Sequence, residues 1–122
     1  MQFDPSSPIW LQLVDELTRR IVIGQWPAGA RIAGVRDLAT ELKVNPNTVQ
    51  RALAELERLG LCASERTAGR FVTTDTGVID EARAGLAVEA ADDFARRAQG
   101  LGMSLTSARN LLGRRWSATT EE

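Results

Sequence analysis

Apolar residues recur at three- and four-residue spacing near the start of the chain, which is typical of one face of an amphipathic helix. The positions that share this face are Trp10, Leu13, Val14, Leu17 and Ile21. Ser7 is predicted to cap the helix and Pro8 to open it, because Ser accepts a hydrogen bond from a free backbone N–H and Pro has no N–H to lose. Gly24 predicts its end, and Trp26, in the turn that follows, is expected to fill the core.

Two shorter helical patterns follow, separated by a tight break at Lys43 and Val44. The first pattern has apolar residues at positions 35, 38, 39 and 42, and the second at 49, 52, 53, 56 and 59. Asn45 is predicted to cap the second helix, with Pro46 in its first turn and Gly60 ending it. The pattern therefore predicts a helix, a short turn and a helix.

After Gly60 the pattern changes to two short strand-like runs, 61–65 and 70–74. Between them lie residues 66–69, where Gly69 supplies the positive backbone angle that a hairpin turn requires. A helix-turn-helix followed by a hairpin is a winged helix. The predicted fold class is therefore mostly α with a small β-hairpin wing, and the predicted winged helix-turn-helix domain spans residues 1–75.

The pattern in residues 76–122 predicts a long helix that breaks around 100–102, followed by a short final helix capped by Ser104. Two helices cannot enclose a core of their own, so their apolar face must pack on the front domain or on a second chain. We favour a second chain and predict that this α-helical tail serves dimerisation. The candidate dimerisation residues are Ile79, Leu86, Phe94, Leu101, Leu111 and Leu112.

Composition limits the chemistry that the protein can perform. The 122 residues include no His and a single cysteine, Cys62, which argues against zinc binding, an intramolecular disulfide and His-based proton transfer. Cys62 is expected to be a small core residue. The sequence contains neither a catalytic nucleophile paired with a general base nor the pattern of a phosphate-binding loop. We therefore expect no enzyme activity, no cofactor and no metal. The start lacks the basic and apolar regions of a signal peptide and no run is long enough to span a membrane, so a cytoplasmic location is expected.

Charge gives a weaker signal, because the net formal charge is only −1. Residues 31–72 nevertheless carry seven Lys and Arg against five Asp and Glu. On the helix predicted to begin after Asn45, the polar residues Asn47, Gln50 and Arg51 lie opposite the apolar face. The small residue Ala54 lies among them. Asn and Gln can make paired hydrogen bonds to adenine in the major groove, and Arg can bind guanine or phosphate. This is the composition of a helix that reads DNA.

These segments together resemble the winged-helix domain of the GntR family of bacterial transcription regulators, over about residues 8–73. The matching segments are PIWLQL at 8–13, WPAGARI at 26–32, VRDLA at 35–39, LKVNPNTVQRAL at 42–53, ELERLGL at 55–61 and FV at 71–72. The short tail is similar to that of the YtrA subfamily, in which two helices serve dimerisation. Two departures lie on the expected DNA side: Ala33 and Gly34 replace the usual Pro-Ser, and Thr67 and Ala68 leave the wing one glycine instead of two.

The resemblance and the helix pattern together give the candidate DNA-binding residues. They are Arg36, Asn45, Asn47, Thr48, Gln50, Arg51, Arg66, Gly69 and Arg70. Simpler interpretations stay open: Asn45 can be only a helix cap, Arg36 can pair with a nearby acid, and an arginine on an exposed hairpin needs no ligand. Asn47, Gln50 and Arg51 can likewise be polar residues that face only solvent.

The predicted function is sequence-specific binding of double-stranded DNA by a homodimeric repressor, at a palindromic operator. The prediction also allows for an unknown small-molecule effector that regulates the repressor. The alternative is a winged-helix protein-interaction module that has lost specific DNA binding.

Overall fold

The computed structural model describes residues 1–120, which form five α-helices and one β-hairpin. The elements are α1 (Ile9–Val22), α2 (Val35–Leu42), α3 (Pro46–Arg58), β1 (Cys62–Glu65), β2 (Gly69–Val72), α4 (Thr76–Gly100) and α5 (Leu105–Thr120). This order confirms the predicted fold class, mostly α with a small wing. The chain divides into two compact units, Met1–Leu86 and a second that begins at Ala87, so the first part of α4 belongs to the first unit.

The helix ends follow local backbone chemistry, with one difference from expectation. Pro8 occupies the cap position of α1 and not its first turn, and no side chain caps that helix. Asn45 caps α3 as predicted, because its Oδ1 accepts a hydrogen bond of 2.7 Å from the Asn47 N–H. Gly34 occupies the cap position of α2, which has no side-chain cap. Lys43 ends α2 in the left-handed conformation, with φ +58°.

The core of the first unit lies between α1, α2, α3 and the wing. Its fully buried large side chains are Leu13, Leu17, Leu38, Val49, Leu53, Leu56 and Leu61. Leu59 was expected on the same face, but it follows the last residue of α3 and is 45% exposed. Ile79, near the start of α4, is part of this core. The burial on one side of α3 leaves its opposite side free for a ligand.

The wing is a two-stranded antiparallel hairpin in which Cys62 pairs with Val72 and Glu65 with Gly69. A preceding segment that the sequence pattern did not predict adds to it. The Ile32 N–H donates to the Arg70 carbonyl at 2.8 Å, and the Val72 N–H donates to the Ala30 carbonyl at 2.9 Å. Residues 30–32 therefore run beside β2 and connect the wing to the start of α2.

The second unit contains the rest of α4, a turn and α5. The Ser104 Oγ accepts a hydrogen bond of 3.1 Å from the Ser107 N–H, which confirms the predicted cap. The helix after this cap was expected to be short, but it is 16 residues long. Ala98 and Ala108 are buried, whereas Leu101 is 80% exposed and Leu105 is 74% exposed. Most large apolar side chains of this unit therefore remain in contact with solvent.

Candidate nucleic-acid interface

Helix α3 presents a polar face that its buried face holds in place. Asn47, Gln50 and Arg51 are exposed, while Val49, Ala52 and Leu53 on the opposite side are fully buried. Ala54 is also exposed and adds little bulk to the polar face. Because the buried side chains fix the rotation of α3, the structure brings these three predicted polar residues together on one accessible surface.

Asn45 and Thr48 lie at the start of α3, beside that surface. The Asn45 side-chain oxygen is already used as the helix cap, although the residue is exposed. Thr48 is half-buried, and its backbone N–H donates to the Asn45 carbonyl at 2.9 Å. Asn45 therefore shapes the first turn of α3 while the residue as a whole stays exposed.

Arg51 is held in place by an aromatic ring from another helix. Its guanidinium carbon lies 3.9 Å from the centroid of the Trp10 ring, which is a close cation–π contact. Trp10 was expected only as a core residue, and it also packs against the core with its half-buried ring. Trp10, Arg51, Asn47 and Thr48 line one open cleft at the starts of α1 and α3. This contact restricts Arg51 to one part of the polar surface.

Arg36 lies in the first turn of α2 and is exposed. Within residues 1–120 its side chain forms no ion pair, so the alternative of a surface pair with a nearby acid has no support there. Arg36 therefore offers a free positive charge close to the turn that leads into α3.

The predicted wing residues behave differently from one another. Arg66 is exposed and begins the turn with φ +36°, and Gly69 ends it with φ +112°. Arg70, by contrast, donates from Nε to the Glu57 carboxylate at 2.6 Å, and its side chain is only 19% exposed. Glu57 also accepts a hydrogen bond from the Ser64 hydroxyl, and these bonds from Ser64 and Arg70 lower the pKa of Glu57. Arg70 thus connects the wing to α3.

Arg31 is a residue that sequence reasoning missed. It is exposed, and its Nε donates to the Ala68 carbonyl at the wing turn at 3.1 Å. No periodic pattern could have indicated this contact, because it joins residues that are far apart in the chain. Only its place in the matched segment 26–32 was available as a signal.

The candidate dimerisation residues are divided between the two units. Ile79 lies in the core of the first unit and Leu86 at its edge, 38% exposed. In the second unit, Phe94 and Leu111 are half-buried, whereas Leu101 and Leu112 are exposed. Ile79 therefore stabilises the winged-helix unit itself, and the other five leave apolar surface at least partly accessible.

Other chemistry finds little support among residues 1–120. They contain no group of three or more His, Cys, Asp or Glu side chains that could hold a metal ion. Cys62 is buried as expected, and burial raises the pKa of its thiol to about 11, so it is a poor nucleophile. None of the helices in this range is long and apolar enough to cross a membrane.

A helix-turn-helix with a polar recognition face and a flanking hairpin defines a winged-helix DNA-binding domain. Residues 10–72 match the bacterial regulatory proteins of the gntR family. The chain belongs to the GntR family and is a DNA-binding transcriptional regulator. This confirms the predicted transcriptional regulator, whose family is one of regulators and not of enzymes.

Similar proteins support this assignment along most of the chain. The uncharacterized HTH-type transcriptional regulator YhcF of Bacillus subtilis is 36% identical over 103 residues, which cover 84% of this chain and 85% of YhcF. The HTH-type transcriptional repressor YtrA of the same organism is 36% identical over 75 residues, 60% of this chain and 58% of YtrA. A GntR family regulator from Listeria monocytogenes has a structure with a TM-score of 0.79 and 34% identity, covering 92% of this chain and 98% of that one. These likenesses are consistent with a YtrA-like regulator.

Proposed function

We propose that this regulator is a homodimeric repressor that binds an inverted-repeat operator through α3 and the wing. The observation that carries the proposal is the exposed polar face of α3, fixed from behind by fully buried Val49, Leu53 and Leu56. A repressor role is supported by the similarity to YtrA, whose name describes a transcriptional repressor. Occupancy of a promoter by such a dimer would block RNA polymerase.

We assign direct base readout to Asn47 and Gln50, whose amides can each bond an adenine edge in the major groove. Arg36 and Arg51 are assigned to phosphate or guanine, and Thr48 and Asn45 to the DNA backbone beside the helix start. Arg66 and Gly69 place the wing turn against the DNA. Arg70 is assigned a supporting role, because its contact with Glu57 leaves it little exposed.

Dimerisation is assigned to residues 76–122 and DNA binding to residues 1–75. The exposed apolar side chains Leu101, Leu105 and Trp116 of the second unit supply the surface that a second copy would cover. A two-fold dimer presents two recognition helices, so the half-sites should lie about one helical turn, roughly 10 base pairs, apart.

A small-molecule effector stays a prediction. A largely apolar groove of about 340 Å³ lies in the first unit between α1, the end of α3 and the start of α4. Its volume falls within the range of ligand pockets, about 300–1,000 Å³. Thr18, Leu59 and Val78 are among its lining residues, so a ligand there would contact the end of the recognition helix.

Selection of duplexes from a random-sequence pool by the full chain, at a stated salt concentration, tests the proposal. We expect enrichment of an inverted repeat, because a two-fold dimer reads both half-sites in the same way. The double variant Asn47→Ala and Gln50→Ala should lose the preference for the selected duplex over a scrambled one, by about 10²-fold or more.

The matched control is Gln25→Ala, which removes an exposed amide from the turn after α1. The recognition face adjoins the start of α1, and Gln25 follows its other end, so this variant should bind like the wild type. Enrichment of single, unpaired half-sites would contradict the dimer. Equal, weak and salt-sensitive binding to all duplexes would instead favour the protein-interaction module.

A further inference from the structure

An arginine from outside the hairpin occupies the side of the wing. Arg31 lies in the segment that runs beside β2, where Ile32 and Val72 exchange backbone hydrogen bonds with Arg70 and Ala30. This pairing fixes the backbone at Arg31, and its side chain crosses to the turn, where Nε donates to the Ala68 carbonyl at 3.1 Å. The guanidinium is therefore attached to the wing turn, although the residue belongs to the segment before α2.

Gly69 makes room for this side chain. A Cβ atom placed on Gly69 would lie 2.8 Å from the Arg31 Nε, so the flexible end of the Arg31 side chain would have to shift. Gly69 also has φ +112°, a backbone angle that other residues rarely adopt, so a substitution here would strain the turn as well as displace Arg31. The absence of a side chain at residue 69 therefore serves the position of Arg31 as well as the turn.

The charge of Arg31 is available, unlike that of its neighbour Arg70. Arg70 is 19% exposed and bonded to Glu57 at 2.6 Å, so a carboxylate compensates its charge. Arg31 is exposed, and among the described residues it has no carboxylate within ion-pair distance and no hydrogen bond besides the one from Nε. Its two terminal nitrogens keep their donors for a planar, doubly accepting group.

We propose that Arg31 binds a DNA phosphate beside the wing, and that Arg31, not Arg70, is the arginine through which the body of the wing contacts DNA. The inference rests on the proposed binding of DNA by α3 and the wing, and it adds a residue and a ligand group to that interface. A guanidinium with a fixed Nε and free terminal nitrogens matches the two oxygens of a phosphate. The phosphate contact would follow the backbone and carry no base preference.

The test is the salt dependence of binding to the duplex selected by the wild type. Arg31→Ala should weaken binding about 5- to 20-fold at 0.1 M salt, and the slope of log affinity against log salt should fall by about one for each bound subunit. Arg31→Lys keeps the charge and should retain most of the slope. Circular dichroism should show an unchanged fold, because the Arg31 side chain is exposed.

One control tests for a general loss of charge, and one double variant tests the contact between Arg31 and the wing turn. Arg19→Ala removes an exposed arginine that pairs with Glu16 on α1 and should change the affinity less than about twofold. Gly69→Ala should displace the Arg31 side chain, so that adding Arg31→Ala to Gly69→Ala causes little further loss.

Three results would overturn the inference. If Arg31→Ala binds DNA with the same affinity as Arg19→Ala, Arg31 makes no contact with DNA. If the salt slope falls in Arg70→Ala but not in Arg31→Ala, Arg70 is the arginine that binds the phosphate. A changed base preference in the Arg31→Ala selection would mean a base contact in place of a phosphate contact. If the wild type itself selects no duplex, the proposed operator binding fails, which is a separate outcome from any of these.

Discussion

The two compact units differ in how far their large apolar side chains are buried. In the first unit Leu13, Leu17 and Leu53 have no exposed surface, whereas in the second Leu101 is 80% exposed and Trp116 is 66% exposed. The residues that the second unit does bury are small, Ala98 at 5% and Ala108 at 8% exposure. Ion pairs differ as well. In the first unit the Arg20 side chain is 9% exposed and pairs with Glu16 and Glu41, whereas the ion pairs of the second unit up to residue 120 involve exposed Asp93.

This difference indicates where each unit obtains its stability. Burial of apolar area contributes about 25 cal/mol per Å², so the first unit has its main stabilising contribution within its own core. A pair of helices that buries mainly alanine lacks that contribution, and large exposed apolar groups are typical of association surfaces. We infer that the winged-helix unit folds by itself, while the second unit depends on a second copy of the chain.

The largest effect on the free energy of unfolding is expected from a cavity in the core of the first unit. Leu53→Ala removes a fully buried side chain of α3 and should lower the free energy of unfolding by about 3 kcal/mol, because it leaves a cavity. Urea denaturation followed by circular dichroism measures the change.

Leu59→Ala is the matched control, one residue past the end of the same helix. Leu59 is 45% exposed, so this substitution should lower the free energy of unfolding by less than about 1 kcal/mol. Equal losses for the two variants would contradict the contrast between the closed core and its edge.

The next effect is expected in the second unit and concerns association. Leu112→Asp places a charge on its accessible apolar surface and should raise the dimer dissociation constant about 30-fold, near 2 kcal/mol, because burial of an unpaired carboxylate is unfavourable. Sedimentation velocity over a concentration series measures it. Operator affinity should fall in parallel, since one half-site offers few contacts.

Asn110→Asp adds the same charge on the other side of α5 and is the matched control. It should leave both association and operator binding close to those of the wild type. A wild type that sediments as a monomer at tens of micromolar would defeat the inference that the second unit depends on a second copy.

The periodic pattern of the sequence predicted most of the fold because that pattern records burial within single helices. It placed α3 and its cap correctly, since Asn45, Pro46 and the apolar spacing are local signals. It did not predict the segment at residues 30–32 that pairs with β2, because a single bridge between distant residues leaves no period. Leu59 and Ile79 show the same limit, since the first lies past the end of α3 and the second joins a core built by other helices.

The sequence predicted which residues form the candidate site. It did not predict which other residues their side chains contact. Asn47, Gln50 and Arg51 share one surface because helical geometry requires it. The Trp10 ring against Arg51, Glu57 against Arg70 and Arg31 at the wing turn all join different elements. Such contacts depend on how the elements pack, which residue spacing does not encode.

The smallest effects are expected from the ion pairs, and they extend the contrast between the two units. Arg20 is 9% exposed and donates to Glu41 at 2.7 Å and to Glu16 at 3.0 Å. Glu41→Gln should lower the free energy of unfolding by about 1 kcal/mol, because Glu16 still compensates the charge of Arg20. Asp93→Asn in the second unit should change it by less than about 0.3 kcal/mol, because its contacts are exposed and weakened by solvent.

Acidification should weaken the contacts of Glu16 with Arg19 and Arg20 in the wild type, and so lower the free energy of unfolding. The pKa of Glu16 lies below its usual 4.5, mainly because Arg19 donates hydrogen bonds to it and also because Arg20 does. A carboxyl group whose pKa is lowered by folding stabilises the folded state above pH 4.5, and this contribution is lost as the pH falls through the lowered pKa. Urea midpoints measured on both sides of that pH should therefore fall with acid, and the fall should be smaller in Glu16→Gln than in the wild type. An equal fall in Glu16→Gln and in the wild type would mean that the hydrogen bonds from Arg19 and Arg20 to Glu16 do not stabilise the folded state.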